Sequence, residues 1–313
     1  MKQEGIPVGF SLALTPAALA LVAIPMEVTW SYAVAALVFA TGLVVIVLRD
    51  EWRTESILDK LILFGPLFYA VPIAAFSAEH FTITKGIASI VPSWIPWHLF
   101  WAYFVGVCLL AAAFSLATGI GTRLSATLLA LMFFLFVVLM DMPGLMRNPH
   151  NRFAMILMFR ELSFGAGPLA LAASLSLQQN QRAARVAATI ARYLIAVPVL
   201  YYAFEQFLHA DHVPCIPLEM SMPAWLFGHS FWTYLAAVIY TIAGIFLLAG
   251  KRTRIAAASI GLTVLFLILV VYVPIAIAER SSLEGLNYLF DTLMYCGTIL
   301  MLARAMPRPE AST

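Results

Sequence analysis

Apolar runs of about twenty residues follow one another along most of this chain, each long enough to cross a bilayer as an α-helix. Backbone in hydrocarbon must satisfy its own N–H and C=O groups, which restricts such a chain to spanning helices or a closed barrel. A barrel needs short segments of alternating polarity, and these are absent. Composition agrees: 63% of residues are hydrophobic and 11% charged, where soluble chains average about a quarter charged. The expectation is an all-α polytopic membrane protein whose partner along most of its surface is the lipid bilayer. A formal net charge of +2 with no long basic run gives no sign of nucleic acid as a partner.

The chain also repeats itself. Pro92 to Tyr103 and Pro223 to Tyr234 share the skeleton P-x-W-x-x-x-H-x-F-W-x-Y, an agreement in uncommon residues that reads as a repeat before anything else. Downstream the register holds at a constant offset. Gly119, Thr122, Arg123 and Ala126 match Gly250, Thr253, Arg254 and Ala257, and Pro143 matches Pro274. Upstream the offset shifts slightly, and Ala70-Val71-Pro72 and Glu79 match Ala196-Val197-Pro198 and Glu205. The domains expected are an N-terminal segment over 1–50, a four-helix unit over 60–175 and a second over 188–305. A polar linker, 178–192, joins the two units. The predicted spans are 30–48, 61–80, 98–118, 123–142, 153–174, 188–208, 229–249, 254–275 and 286–304, with a tenth if residues 7–25 cross fully. Four helices return a chain to its starting side, so the tandem four-helix bundles are expected in parallel orientation. The tail from Met306 is expected to be disordered.

Orientation follows from Lys and Arg. One set of loops carries Arg49, Arg53, Lys60, Arg123, Arg182, Arg185, Lys251, Arg252, Arg254, Arg304 and Arg308; the other carries Lys85, Arg147, Arg152 and Arg280. The first set is expected in the cytoplasm, which places the His98 and His229 motifs on the outer face. No small-residue cleavage site marks a removable signal peptide. Three cysteines without a C-x-x-C, Cys108, Cys215 and Cys296, read as small apolar fillers, with Cys215 in an outer loop the one expected to meet solvent.

Ionisable groups within spans are the signal for function, because each costs free energy in hydrocarbon unless partnered. Arg160-Glu161 lies about 12 Å below the outer end of its helix. Arg cannot shed its charge, and the matching position in the second unit is Asp291. The charge swap predicts that Arg160 and Asp291 lie near the pseudo-axis, either pairing or polarising a shared cavity, with Glu161 and Asp141 as rival partners. Glu79 and Glu205 end the first helix of each unit, each seven residues after a proline. His98 and His229 open the second helix among Trp94, Trp97, Trp101, Trp225 and Trp232, either as hydrogen-bonding or proton-exchanging groups or as members of an aromatic belt. Glu205, His209, Asp211 and His212 cluster locally, but their spacing matches no strong metal pattern. No nucleotide-binding, haem or metalloprotease signature appears, and no cofactor is evident. Gly165 and Gly167 read as close helix packing and Gly144 as a turn.

Each four-helix stretch resembles a DoxX-type membrane unit. The resemblance rests on the Glu near the outer end of the first helix, the aromatic run opening the second, the Gly119-to-Arg123 and Gly250-to-Arg254 turns, and the segment Arg160-Glu161-Leu162-Ser163-Phe164-Gly165-Ala166-Gly167. It implies an integral protein of a bacterial or archaeal cell membrane, with links in some members to quinone-coupled sulfur oxidation or redox homeostasis. The leading expectation is an outward-opening polar cavity lined by Glu79, His98, Asp141, Arg160, Glu161, Glu205, His229 and Asp291. It would bind a quinone headgroup or other small molecule as part of a redox complex, the electron carrier being a bound quinone or a partner redox subunit. Alternatives are a small-solute transporter and a non-catalytic scaffold whose charges hold helices together.

Overall fold

The computed structural model describes residues 24–49, 52, 56–216 and 219–308; the expectation of a span over 7–25 and most of the C-terminal tail lie outside these. Met306, expected in a free tail, is buried. Among the described residues nine helices are long and apolar enough to cross a membrane, and regular strands are absent. The protein is an all-α multi-pass membrane protein.

The spans are α1 (Met26–Leu48), α2 (Ile57–Thr82), α4 (His98–Thr118), α5 (Thr122–Arg147), α6 (Arg152–Ser176), α7 (Gln181–Leu208), α8 (Ser230–Ala249), α9 (Thr253–Ala278) and α10 (Leu283–Ala305). A short helix, α3 (Thr84–Ala88), follows α2. The polar linker expected over 178–192 shrinks to the turn before Asn180. The Asn180 side chain caps Ala183 N at 3.0 Å, and Gln, Arg and Ala are good helix formers, so α7 runs on past its apolar part into the interfacial layer. Gly144, expected in a turn, lies within the last helical turn of α5.

Matched positions adopt matched geometry. At an offset of 131, Gly119 and Gly250 both close a helix in the left-handed region (φ 81° and 70°), and Gly121 and Arg252 do so just before the next one. α5 and α9 each contain one π-turn, Val137–Asp141 and Ile268–Tyr272. Each π-turn stands just before Pro143 or Pro274, whose missing N–H would otherwise break the ladder. The repeated aromatic motif also acquires a local role. The Trp101 indole donates to Pro96 O at 3.1 Å and the Trp232 indole to Phe227 O at 2.7 Å. Both bonds close the turn that leads into α4 or α8.

The two four-helix stretches are not walled off from each other. α2 packs along α10, α7 packs along α6, and α6 and α10 meet in the middle, so each stretch lends its first helix to the last helix of the other. Small residues permit this approach. A Cβ on Gly297 of α10 would fall 2.5 Å from Tyr69 N of α2, and one on Gly167 of α6 would fall 2.8 Å from Thr298 Cα. Gly165 is tight against Phe134. α10 is accordingly the most enclosed span, while α1 and α5 present Leu37, Val44, Leu128 and Leu131 outward, as lipid-facing helices do.

Candidate functional site

Arg160 of α6 and Asp291 of α10 occupy the centre of this arrangement, each eight residues from the start of its helix, about 12 Å deep. Arg160 Nη1 donates to Asp291 Oδ2 at 2.6 Å and Nη2 to Glu161 Oε1 at 2.9 Å. The guanidinium also lies over the Phe164 ring at 5.9 Å. The charge swap between matched positions therefore closes an ion pair between the two stretches, and Glu161 joins it.

Two further carboxyl groups converge on the pair. Asp141 comes from the last position of the α5 π-turn and lies within electrostatic range of Arg160 and Glu161. A π-turn rotates the residues that follow it relative to a regular helix. Glu79, at the C-terminal end of α2, faces Asp291 and the Asn287 side chain across the α2–α10 contact. The guanidinium bonds two of these carboxyl groups, Asp291 and Glu161, and two more lie close by. Glu79 Oε1, Asp141 Oδ2, Asn287 Oδ1 and Arg160 Nε are buried without a hydrogen-bond partner.

Tyrosines that the sequence did not single out complete the walls. Tyr69 Oη donates to Phe164 O at 2.7 Å, the carbonyl that Pro168 four residues on leaves without its helical donor. Tyr202 Oη donates to Ile156 O at 3.1 Å and lies near Arg160, Glu161 and Asp291. Its ring meets that of Tyr295 at 6.0 Å, and the Tyr295 hydroxyl is buried and unpartnered. A signal for Tyr69 and Tyr202 was available: each places a hydroxyl in the middle of an apolar run.

Of the eight residues expected to share one cavity, the structure brings together Glu79, Asp141, Arg160, Glu161 and Asp291. Glu205 is engaged elsewhere, accepting from Arg152 Nε at 2.5 Å with His209 Nε2 at 3.9 Å. His98 opens α4 beside exposed Trp94, Trp97 and Trp101. His229 is exposed, and its Nε2 lies 2.9 Å from Ala224 O. Both histidines belong to the aromatic rim, not to the Arg160 group.

The loop after α7, expected on the outer face, departs most from expectation. Cys215, expected to meet solvent, is fully buried, and Cys108 is the partly exposed thiol. Residues 213–216 tuck into the helix bundle. The Gln206 side chain accepts from Cys215 N at 3.1 Å, and the Tyr272 hydroxyl donates to Pro214 O. Burial pushes the Cys215 thiol up to about 12. On the loop surface His209, Asp211 and His212 hold their ligand atoms within 4.8 Å of one another. A hydrogen bond from His212 holds the exposed Asp211 carboxyl below its ordinary value. No family model, curated protein or solved structure matches this chain.

Proposed function

We propose that the protein is a DoxX-like membrane protein of a bacterial inner membrane, built from two copies of a four-helix unit in parallel orientation. We further propose that it binds a quinone headgroup at the Arg160 site and exchanges protons with it, alongside a redox partner subunit. The excess of Lys and Arg in one set of loops supports a cytoplasmic position for them and an outer position for the His98 and His229 rim. Matched π-turns and matched left-handed residues at one offset support the duplication.

The observation that carries the ligand reading is the imbalance at Arg160. Ion pairing to Asp291 and Glu161 would suffice for a scaffold, and it leaves Glu79 Oε1 and Asp141 Oδ2 buried without partners. Such an oxygen costs several kcal/mol in hydrocarbon, roughly, unless a proton or a ligand meets it. Quinone carbonyls need hydrogen-bond donors, and Arg160 Nε–H is a buried donor without a partner. Protonated Glu79 or Asp141 can donate to the same oxygens, and their ionised forms can take protons from quinol hydroxyls. The quinone ring supplies the electron chemistry when bound; these side chains bind, orient and move protons.

Protein purified with native lipid is extracted for quinone and then titrated with a soluble short-chain quinone. The expected result is saturable binding that is lost in Arg160→Ala and weakened about tenfold or more in Glu79→Gln/Asp141→Asn. Binding indifferent to all three substitutions would overturn the reading. Arg160-dependent solute uptake into proteoliposomes, without quinone binding, would establish transport in its place.

A further inference from the structure

A cavity of about 510 Å³ lies at the opposite end of the molecule from the histidine rim, among α1, α2, α4, α5, α6 and α10. Its inner walls are apolar, with Leu67, Leu116 and Leu171 prominent, and its mouth carries Arg49, Arg123, Gln179 and the Gly119–Thr122 turn. No carboxylate lines it among the described residues. Arg49 is ordered there by close packing on Gly119, where a Cβ would collide with its guanidinium. Arg123 donates to the neutral Gln179 side chain.

The matched arginine shows what this mouth lacks. Arg254 is buried, donates to Asp59, and gives a second bond to Ala303 O at 3.1 Å. A neighbouring cavity of about 230 Å³, which Arg254 lines, contains that Asp59 carboxylate. Arg254 thus has its anion from the chain, whereas among the described residues the cavity that Arg49 and Arg123 face is lined by no carboxylate, and it opens where a lipid headgroup sits.

We propose that this cavity holds one anionic phospholipid of the adjoining leaflet, its phosphate between Arg49 and Arg123 and an acyl chain along Leu67, Leu116 and Leu171. A planar guanidinium binds phosphate oxygens in a forked geometry. Basic pockets between spanning helices are suited to acidic headgroups. The apolar walls select a lipid over a free phosphate. The site is independent of the Arg160 group and of any quinone chemistry there.

Detergent-purified, delipidated full-length protein is offered phosphatidylglycerol, phosphatidylcholine with the same acyl chains, or inorganic phosphate. Bound lipid is counted by native mass spectrometry. We expect phosphatidylglycerol to be retained about tenfold more strongly than phosphatidylcholine. That preference should vanish in Arg49→Gln/Arg123→Gln, persist in Arg123→Lys, and persist in the exposed-surface control Arg185→Gln. Equal retention of the two lipids, or an unchanged preference in the double glutamine variant, would overturn the proposal. Competition by inorganic phosphate at equal concentration would also overturn it, by showing a free-anion site. Arg123→Lys keeps the charge, so its behaviour separates lost binding from lost folding.

Discussion

At matched positions the two four-helix stretches of this protein treat their charges differently. In the second stretch Glu205 is met by Arg152 and Arg254 by Asp59. In the first, Glu79 at the position matching Glu205 keeps an unpartnered oxygen, and Arg123 at the position matching Arg254 bonds only a neutral amide among the hydrogen bonds seen. Asp141, matched to Tyr272, is likewise left with an unpartnered oxygen, while Tyr272 is tied to the Pro214 carbonyl. At these matched positions, therefore, the second stretch has its charges met by Arg152 and Asp59 from outside it, and the first stretch keeps polar groups without a charged partner. The lesson is that the closed contacts hold the fold, and the open ones are where a ligand or lipid can be recognised.

The largest expected effect breaks the central ion pair between the stretches. Arg160→Ala strands Asp291 and Glu161 and should cost about 3–5 kcal/mol, read as a lowered Tm in detergent. Arg160→Met/Asp291→Leu should recover most of that loss, since well-packed apolar replacements of a buried pair are often neutral. This double variant separates the two readings: a scaffold would keep every property, whereas a quinone site would regain stability without regaining quinone binding.

Next in size is the contrast between the matched arginines. Arg254→Gln leaves the Asp59 carboxylate without its partner and should destabilise by about 2–3 kcal/mol. Arg123→Gln should stay within about 0.5 kcal/mol, as an exposed surface change does. Equal effects from the two would erase the distinction between these matched positions. The smallest expected signal is chemical. With its thiol pushed up to about 12 by burial, Cys215 carries almost no thiolate at pH 8. Because its ionisation rises with pH only near that value, an impermeant maleimide should leave it unmodified in the folded protein and label it after unfolding.

Much of this was legible in the sequence, for identifiable physical reasons. Spanning helices announce themselves because hydrocarbon tolerates little else, and the boundaries of α4, α6, α8 and α10 follow the apolar runs closely. The Arg160–Asp291 pair was readable because an Arg that deep must find an anion and the repeat register named one. The histidines were legible only as a choice between chemistry and an aromatic rim, since both roles place a His at a helix start. The inward fold of residues 213–216 was not legible. It depends on Gln206 and Tyr272, residues distant in sequence, supplying hydrogen bonds to a loop that by composition looked external. Nor did helical periodicity announce how Asp141 joins Arg160, because a π-turn shifts the register just there. The lipid-sized cavity is formed by six different helices, and no local pattern records it.

The most direct test sets Glu79 against Glu205, the same residue at matched positions in the two stretches. Glu79→Gln and Glu205→Gln would each be measured for Tm and for affinity to a short-chain quinone in the same detergent. Glu205→Gln is expected to lower stability by about 1–2 kcal/mol through loss of its bond to Arg152, with quinone affinity unchanged. Glu79→Gln is expected to leave stability nearly unchanged and to weaken quinone binding several-fold. Equal loss of stability in both variants, with no change in quinone affinity in either, would contradict this contrast.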